Sequence, residues 1–85
     1  MKITMDVPEY VEGRGLEMDW DDSFEILVTS DNDGVQIVAN PAGLRSLARH
    51  MLLLAQERVP SGHHIHLDEN SPLEPGSVSL ILGRA

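Results

Sequence analysis

Three of the four histidines fall within four positions, and a carboxylate follows at once: His63-His64-Ile65-His66-Leu67-Asp68. Imidazoles this dense suit a metal site, a pH-sensitive surface, or the polar side of a strand. On an extended chain His64 and His66 share one face about 6–7 Å apart, close enough to grip one zinc ion. Asp68 shares that face but lies roughly 13 Å along from His64, so an unbent strand keeps it out of the same site. A catalytic zinc takes three protein ligands, and the third would be His50 or a distant acid. No HExxH helix is present and there is no cysteine. The simpler reading is a strand whose polar side carries His64, His66 and Asp68 while Ile65 and Leu67 are buried.

Other constellations are weaker. Asp31-x-Asp33-Gly34 has the start of a calcium loop, but that register puts Thr29 at position 1 and Asn40 at position 12, where Asp and a bidentate Glu belong. It reads as a turn. The serines Ser23, Ser30, Ser46, Ser61, Ser71, Ser77 and Ser79 sit in no nucleophile elbow. Gly13-Arg14-Gly15 is too short for a phosphate loop. No catalytic arrangement is legible, and no cofactor is implied. The only tryptophan lies among acids, in Met18-Asp19-Trp20-Asp21-Asp22. A lone Trp is by default a core residue, but an aromatic ringed by polar groups also has the form of a binding anchor. A partner met by Asp19, Trp20, Asp21 and Asp22 would be basic.

Charge sharpens that expectation. The chain carries −8, and all of it lies in residues 1–33, where ten carboxylates face Lys2 and Arg14. Beyond them Glu57, Asp68, Glu69 and Glu74 balance Arg45, Arg49, Arg58 and Arg84. Such a surface repels nucleic acid and attracts basic proteins, though it also serves plain solubility. Eighty-five residues make one domain, burying only about 60–65% of the surface of the unfolded chain. With no cysteine, no signal-peptide pattern at Met1–Asp6 and no long apolar run, the chain reads as cytoplasmic and free of membrane.

The positioning elements follow from periodicity. Ile3, Met5 and Val7 alternate as a half-buried strand ended by Pro8, and Leu16, Met18 and Trp20 suggest a short strand at 16–20. Ser23 to Thr29 is a strand with Phe24, Ile26 and Val28 on one face. Asp31-Asn32-Asp33-Gly34 turns it back into Val35, Ile37 and Ala39. Asn40 caps a helix and Pro41 opens it. The spacing predicts a buried stripe of Leu44, Leu47, Ala48, Met51, Leu54 and Ala55. Arg45, Arg49, His50, Gln56 and Glu57 fall outside it, Leu52 flanks it, and Leu53 lies among polar neighbours and is expected to be exposed. Pro60 and Gly62 stop the helix. His63–Asp68 and Ser77–Leu82 are the last strands, with a turn at Pro75-Gly76. The fold class is α+β: a small antiparallel sheet with one helix on one face, in the order β-β-(β)-α-β-β. Residues 1–22 form an acidic strand and loop, and residues 23–85 the core.

From Ile37 onward the chain resembles the immunity protein 32 family of bacterial polymorphic toxin systems. The resemblance is carried by Ile37-x-x-Asn40-Pro41-x-Gly43-Leu44-x-x-Leu47-Ala48 and the leucine-rich helix through Leu54-Ala55. It continues in His63-His64-x-His66-Leu67-Asp68 and Leu73-x-x-Gly76-Ser77-x-x-Leu80-Ile81-Leu82, with Phe24-x-Ile26-x-Val28 before it. Residues 1–22 have no counterpart. The resemblance implies a cytosolic antidote that binds and blocks a cognate protein toxin without catalysis. Two other readings stand beside it. One is a small metal-binding protein using His64 and His66, with His50 or Asp68 assisting. The other is an oligomerising accessory module, a homodimer for example, that pairs exposed sheet edges.

Overall fold

The computed structural model describes residues 1–85. Its elements are β1 (Ile26–Asp31), β2 (Gly34–Ala39), α1 (Pro41–Leu54), β3 (His64–Leu67) and β4 (Leu80–Gly83). This is a small α+β fold in the order β-β-α-β-β. β1 and β2 pair antiparallel from Ile26↔Ala39 to Asp31↔Gly34, leaving Asn32 and Asp33 as a two-residue loop. The Asp31 carboxylate accepts the Asp33 N–H at 2.8 Å, and Gly34 takes a φ of 133° that a side chain would resist. Ile26 and Val28 are fully buried.

The first strand begins at Ile26, three residues later than its pattern suggests. Ser23 adopts a left-handed φ of 61°, which interrupts an extended chain. The cause is Asn40. Its Oδ1 accepts from Gly43 N–H at 2.8 Å, as a helix cap should, and also from Glu25 N–H at 3.0 Å. Its Nδ2 donates to the Ser23 carbonyl at 2.8 Å. One side chain thus ties the helix start to the chain entering β1.

Helix α1 is capped by Asn40 and opened by Pro41, as predicted, but it is rotated from the predicted azimuth. The buried positions are Gly43, Ser46, Leu47, His50, Leu53 and Leu54. Leu44, Ala48, Met51 and Ala55 of the predicted stripe are exposed, whereas Leu53 and His50 are buried. Gly43 explains the rotation. A Cβ there would stand 2.5 Å from the Glu25 carbonyl oxygen and 2.9 Å from Ile26 Cγ1. The helix therefore lies closest to β1 at its glycine, and positions three, four, seven, ten and eleven residues on must face the core. Apolarity favoured Leu44, but backbone proximity selected its neighbour.

β3 pairs antiparallel with β4, from His64↔Gly83 to Leu67↔Leu80. The regular strands thus form two two-stranded sheets rather than one. The chain before β4 sews them together: Glu74 N–H donates to Ile26 O at 2.8 Å and Val78 N–H to Val28 O at 2.9 Å. The Val28 N–H meets Ser77 Oγ at 3.1 Å. Residues 74–78 therefore run beside β1 in the same direction, and the predicted strand from Ser77 becomes regular only at Leu80. At the far end Arg84 donates to the Leu54 and Gln56 carbonyls at 2.8 and 2.7 Å, satisfying acceptors that the helix end leaves free.

The strands predicted at Ile3–Val7 and at 16–20 do not form; residues 1–22 hold one bridge, Val11↔Gly15. This segment is held by helix side chains rather than by a strand. Gln56 accepts from Tyr10 N–H at 3.0 Å and donates to Pro8 O at 2.9 Å, while Arg49 donates to Asp6 O at 3.2 Å. Tyr10 joins the core with Leu53, Val59, Ile65, Leu67 and Leu73.

Gly43→Ala should lower the unfolding free energy, read from a shifted denaturant midpoint, by about 1–3 kcal/mol, the usual cost of forcing atoms into a filled contact. A midpoint equal to or above that of the parent would show that the close approach does not fix the helix. Asn40→Ala should cost about 1–2 kcal/mol through the lost cap.

Candidate functional site

The acidic segment around Trp20 lies along one flank of α1. Arg45 and Arg49 stand one turn apart there and converge on Asp21. Arg45 Nε meets Oδ2 at 2.9 Å and Arg49 Nη1 meets Oδ1 at 2.8 Å, so each carboxylate oxygen has its own guanidinium. The Asp21 N–H donates to Ser46 Oγ at 2.9 Å, and that hydroxyl donates to Ala42 O at 2.8 Å. Arg49 also donates to the Asp19 carbonyl at 3.3 Å. Hydrogen bonds from Arg45, then Arg49, hold the Asp21 carboxyl below its ordinary 3.8. Its pairing therefore stabilises the fold fully above pH 3.8 and is lost as pH falls through the lowered value.

Trp20 is half-buried. Its ring stacks on Phe24 with centroids 4.6 Å apart and stands edge-on to His50 at 4.1 Å. His50 is completely buried, and neither ring nitrogen has a hydrogen-bond partner. Burial is the main influence on its pKa and lowers it below 6.5. Between the lowered value and 6.5 the unfolded chain binds a proton that the folded chain excludes, so stability falls as pH drops below 6.5. Of the four residues predicted to meet a partner, Asp19 and Asp22 are exposed, Trp20 leans on the core, and Asp21 is engaged by the arginine pair. The segment is thus preorganised on the helix. Sequence reading missed its clamp, although two arginines spaced i, i+4 opposite an acidic run are the pattern such a clamp requires.

The histidines do not converge. His64 and His66 occupy the exposed face of β3, as predicted, with His66 Nε2 3.9 Å from Asp68 Oδ2. His64 Nδ1 lies 3.2 Å from the Gly62 carbonyl. His63 packs edge-on against Tyr10 at 5.8 Å. His50 is shut beneath Trp20 rather than on the polar side of the helix, and no three His, Asp or Glu side chains gather at metal-binding distances.

His50→Phe should keep the contact with Trp20 and remove two unpaired buried nitrogens, raising stability at pH 7 by about 1–2 kcal/mol. It should also flatten the loss of stability just below pH 6.5 in thermal melts; an unchanged slope would contradict the assignment. Asp21→Asn should remove part of the acid limb below pH 3.8.

The family model described as Immunity protein 32 matches residues 34–85. The match takes in β2, α1, β3 and β4, and therefore Arg45 and Arg49, but leaves out β1 and the acidic segment with Asp21. No curated protein and no solved structure matches the chain. With more than half of its length covered by that model, the chain belongs to the immunity protein 32 family.

Proposed function

We propose that this protein is a non-catalytic antidote that binds a cognate bacterial toxin and blocks it by occlusion. Family membership over residues 34–85 carries the reading. The charge of −8, all of it in residues 1–33, argues for a basic toxin such as a nuclease. Asp19 and Asp22, exposed beside Trp20 and Asp21, are the acids best placed to steer it. Their contribution is to encounter rate and partner choice, because exposed charges act over a Debye length and are screened by salt. Asp21 differs from them, since its charge is already matched and its task is to hold the segment in place. No helix is long and apolar enough to cross a membrane, and we take the antidote to act in the cytoplasm.

The direct test is to search the neighbouring reading frames for a toxic domain and co-express it with this chain. Growth rescue and a stable complex are expected, and continued toxicity with no complex would end the immunity reading. Within that complex, Asp19→Asn with Asp22→Asn should slow association by about tenfold at low salt and weaken its salt dependence. Unchanged association kinetics would remove this surface from the mechanism.

A further inference from the structure

The flank of α1 opposite the acidic segment is bare. Leu44 and Met51 are 53 and 48% exposed, and Ile81 of β4 is 60% exposed. Between the C-terminal half of the helix and the last strand lies a mostly apolar groove of about 440 Å³, with Met51, Leu54 and Ala55 on one side and the chain from Ile81 to Ala85, Arg84 included, on the other. One wall of this groove is unpaired backbone. Arg84 N–H donates to His63 O at 2.8 Å, which makes residues 63 and 84 a hydrogen-bonded pair of the ladder. Alternation then assigns the ladder bonds to Ile65–Leu82 and Leu67–Leu80. Ile81 and Gly83 must turn their N–H and C=O groups away from β3. No loop or side-chain group meets them. Beyond its pairing with β2, β1 bonds only to residues 74–78, and β4 pairs with β3 alone. The result is a vacant strand position floored by apolar helix side chains.

We infer that this position is the docking site for an extended segment of the toxin, which adds to β4 as a strand and inserts alternate apolar side chains toward Met51 and Ala55. The inference rests on the toxin-binding reading above and assigns it a surface. Backbone edge groups call for another backbone, and the apolar floor calls for apolar side chains at every second position. The acidic N-terminal segment cannot fill the groove, because Asp21, Arg45 and Arg49 pin it to the opposite flank. A second copy would bring another −8, whereas a basic chain is attracted to this one. The acidic flank would speed encounter, and the groove would set the lifetime of the complex.

The experiment uses the full chain and the inactivated toxic domain found by the co-expression test. Met51→Lys and Ile81→Lys change exposed side chains, so both variants should melt near the parent. Each should weaken binding by about 30-fold or more, the scale of a central interface anchor, chiefly through faster dissociation. In the parent complex the Ile81 and Gly83 amides, fast to exchange in the free chain, should become protected. If both variants bind as tightly as the parent, or these amides stay unprotected, the groove is not the site, although antidote activity stands. If the parent itself fails to bind the toxic domain, the immunity reading falls and the docking site with it. A parent that sediments as a dimer, and is returned to monomer by Ile81→Lys, would show a second copy in the groove and overturn the assignment.

Discussion

The approach of helix α1 to β1 at Gly43 governs most of what the molecule presents to its surroundings. A Cβ at that position would press into the Glu25 carbonyl. Absence of a side chain is therefore what lets Asn40 cap the helix and bind the backbone of Ser23 and Glu25 together. Once that contact is made the helix has no freedom to rotate about its axis. Ser46, Leu47, His50, Leu53 and Leu54 must point inward, and Leu44, Met51 and Leu52 must point outward. The fit at one glycine thus decides which apolar side chains form the core and which are left exposed.

The two flanks of the helix have opposite characters. One carries Arg45 and Arg49, which grip Asp21 and lay the acidic segment along the helix. The other is apolar and borders the open edge of β4. The antidote role proposed above calls for both fast encounter and a long-lived complex. Charge serves the first and desolvated apolar contact the second. The separation also keeps the net charge away from the apolar strip, where desolvating carboxylates would oppose binding.

His50 is the least comfortable group in the fold. It fills space beneath Trp20 without a hydrogen bond, in a core that Tyr10, Leu53 and Val59 otherwise make apolar. Burying unpaired nitrogens is a cost that packing against Trp20 offsets only in part. Its burial follows from the rotation imposed at Gly43, since a residue seven positions along occupies the same face.

Periodicity and turn chemistry were enough to locate the β1–β2 hairpin, the Asn40-Pro41 helix start, the exposed His64–His66 face and the α+β class, because these depend on neighbours close in the chain. The family, too, was legible in residues from Ile37 onward. The helix azimuth was not, because it depends on a steric contact between Gly43 and Glu25 that the spacing of apolar residues along the helix does not encode. Nor was the fate of residues 1–22. Alternation suggested strands, but the free hydrogen-bonding groups that captured the segment were the side chains of Arg49 and Gln56. The sequence reads Asp21 as a partner-facing acid, whereas the fold brings Arg45 and Arg49 to it across more than twenty positions. Local preferences are written in consecutive residues, whereas contacts between distant ones exist only once the chain has closed on itself, and those contacts decided which surfaces remain open.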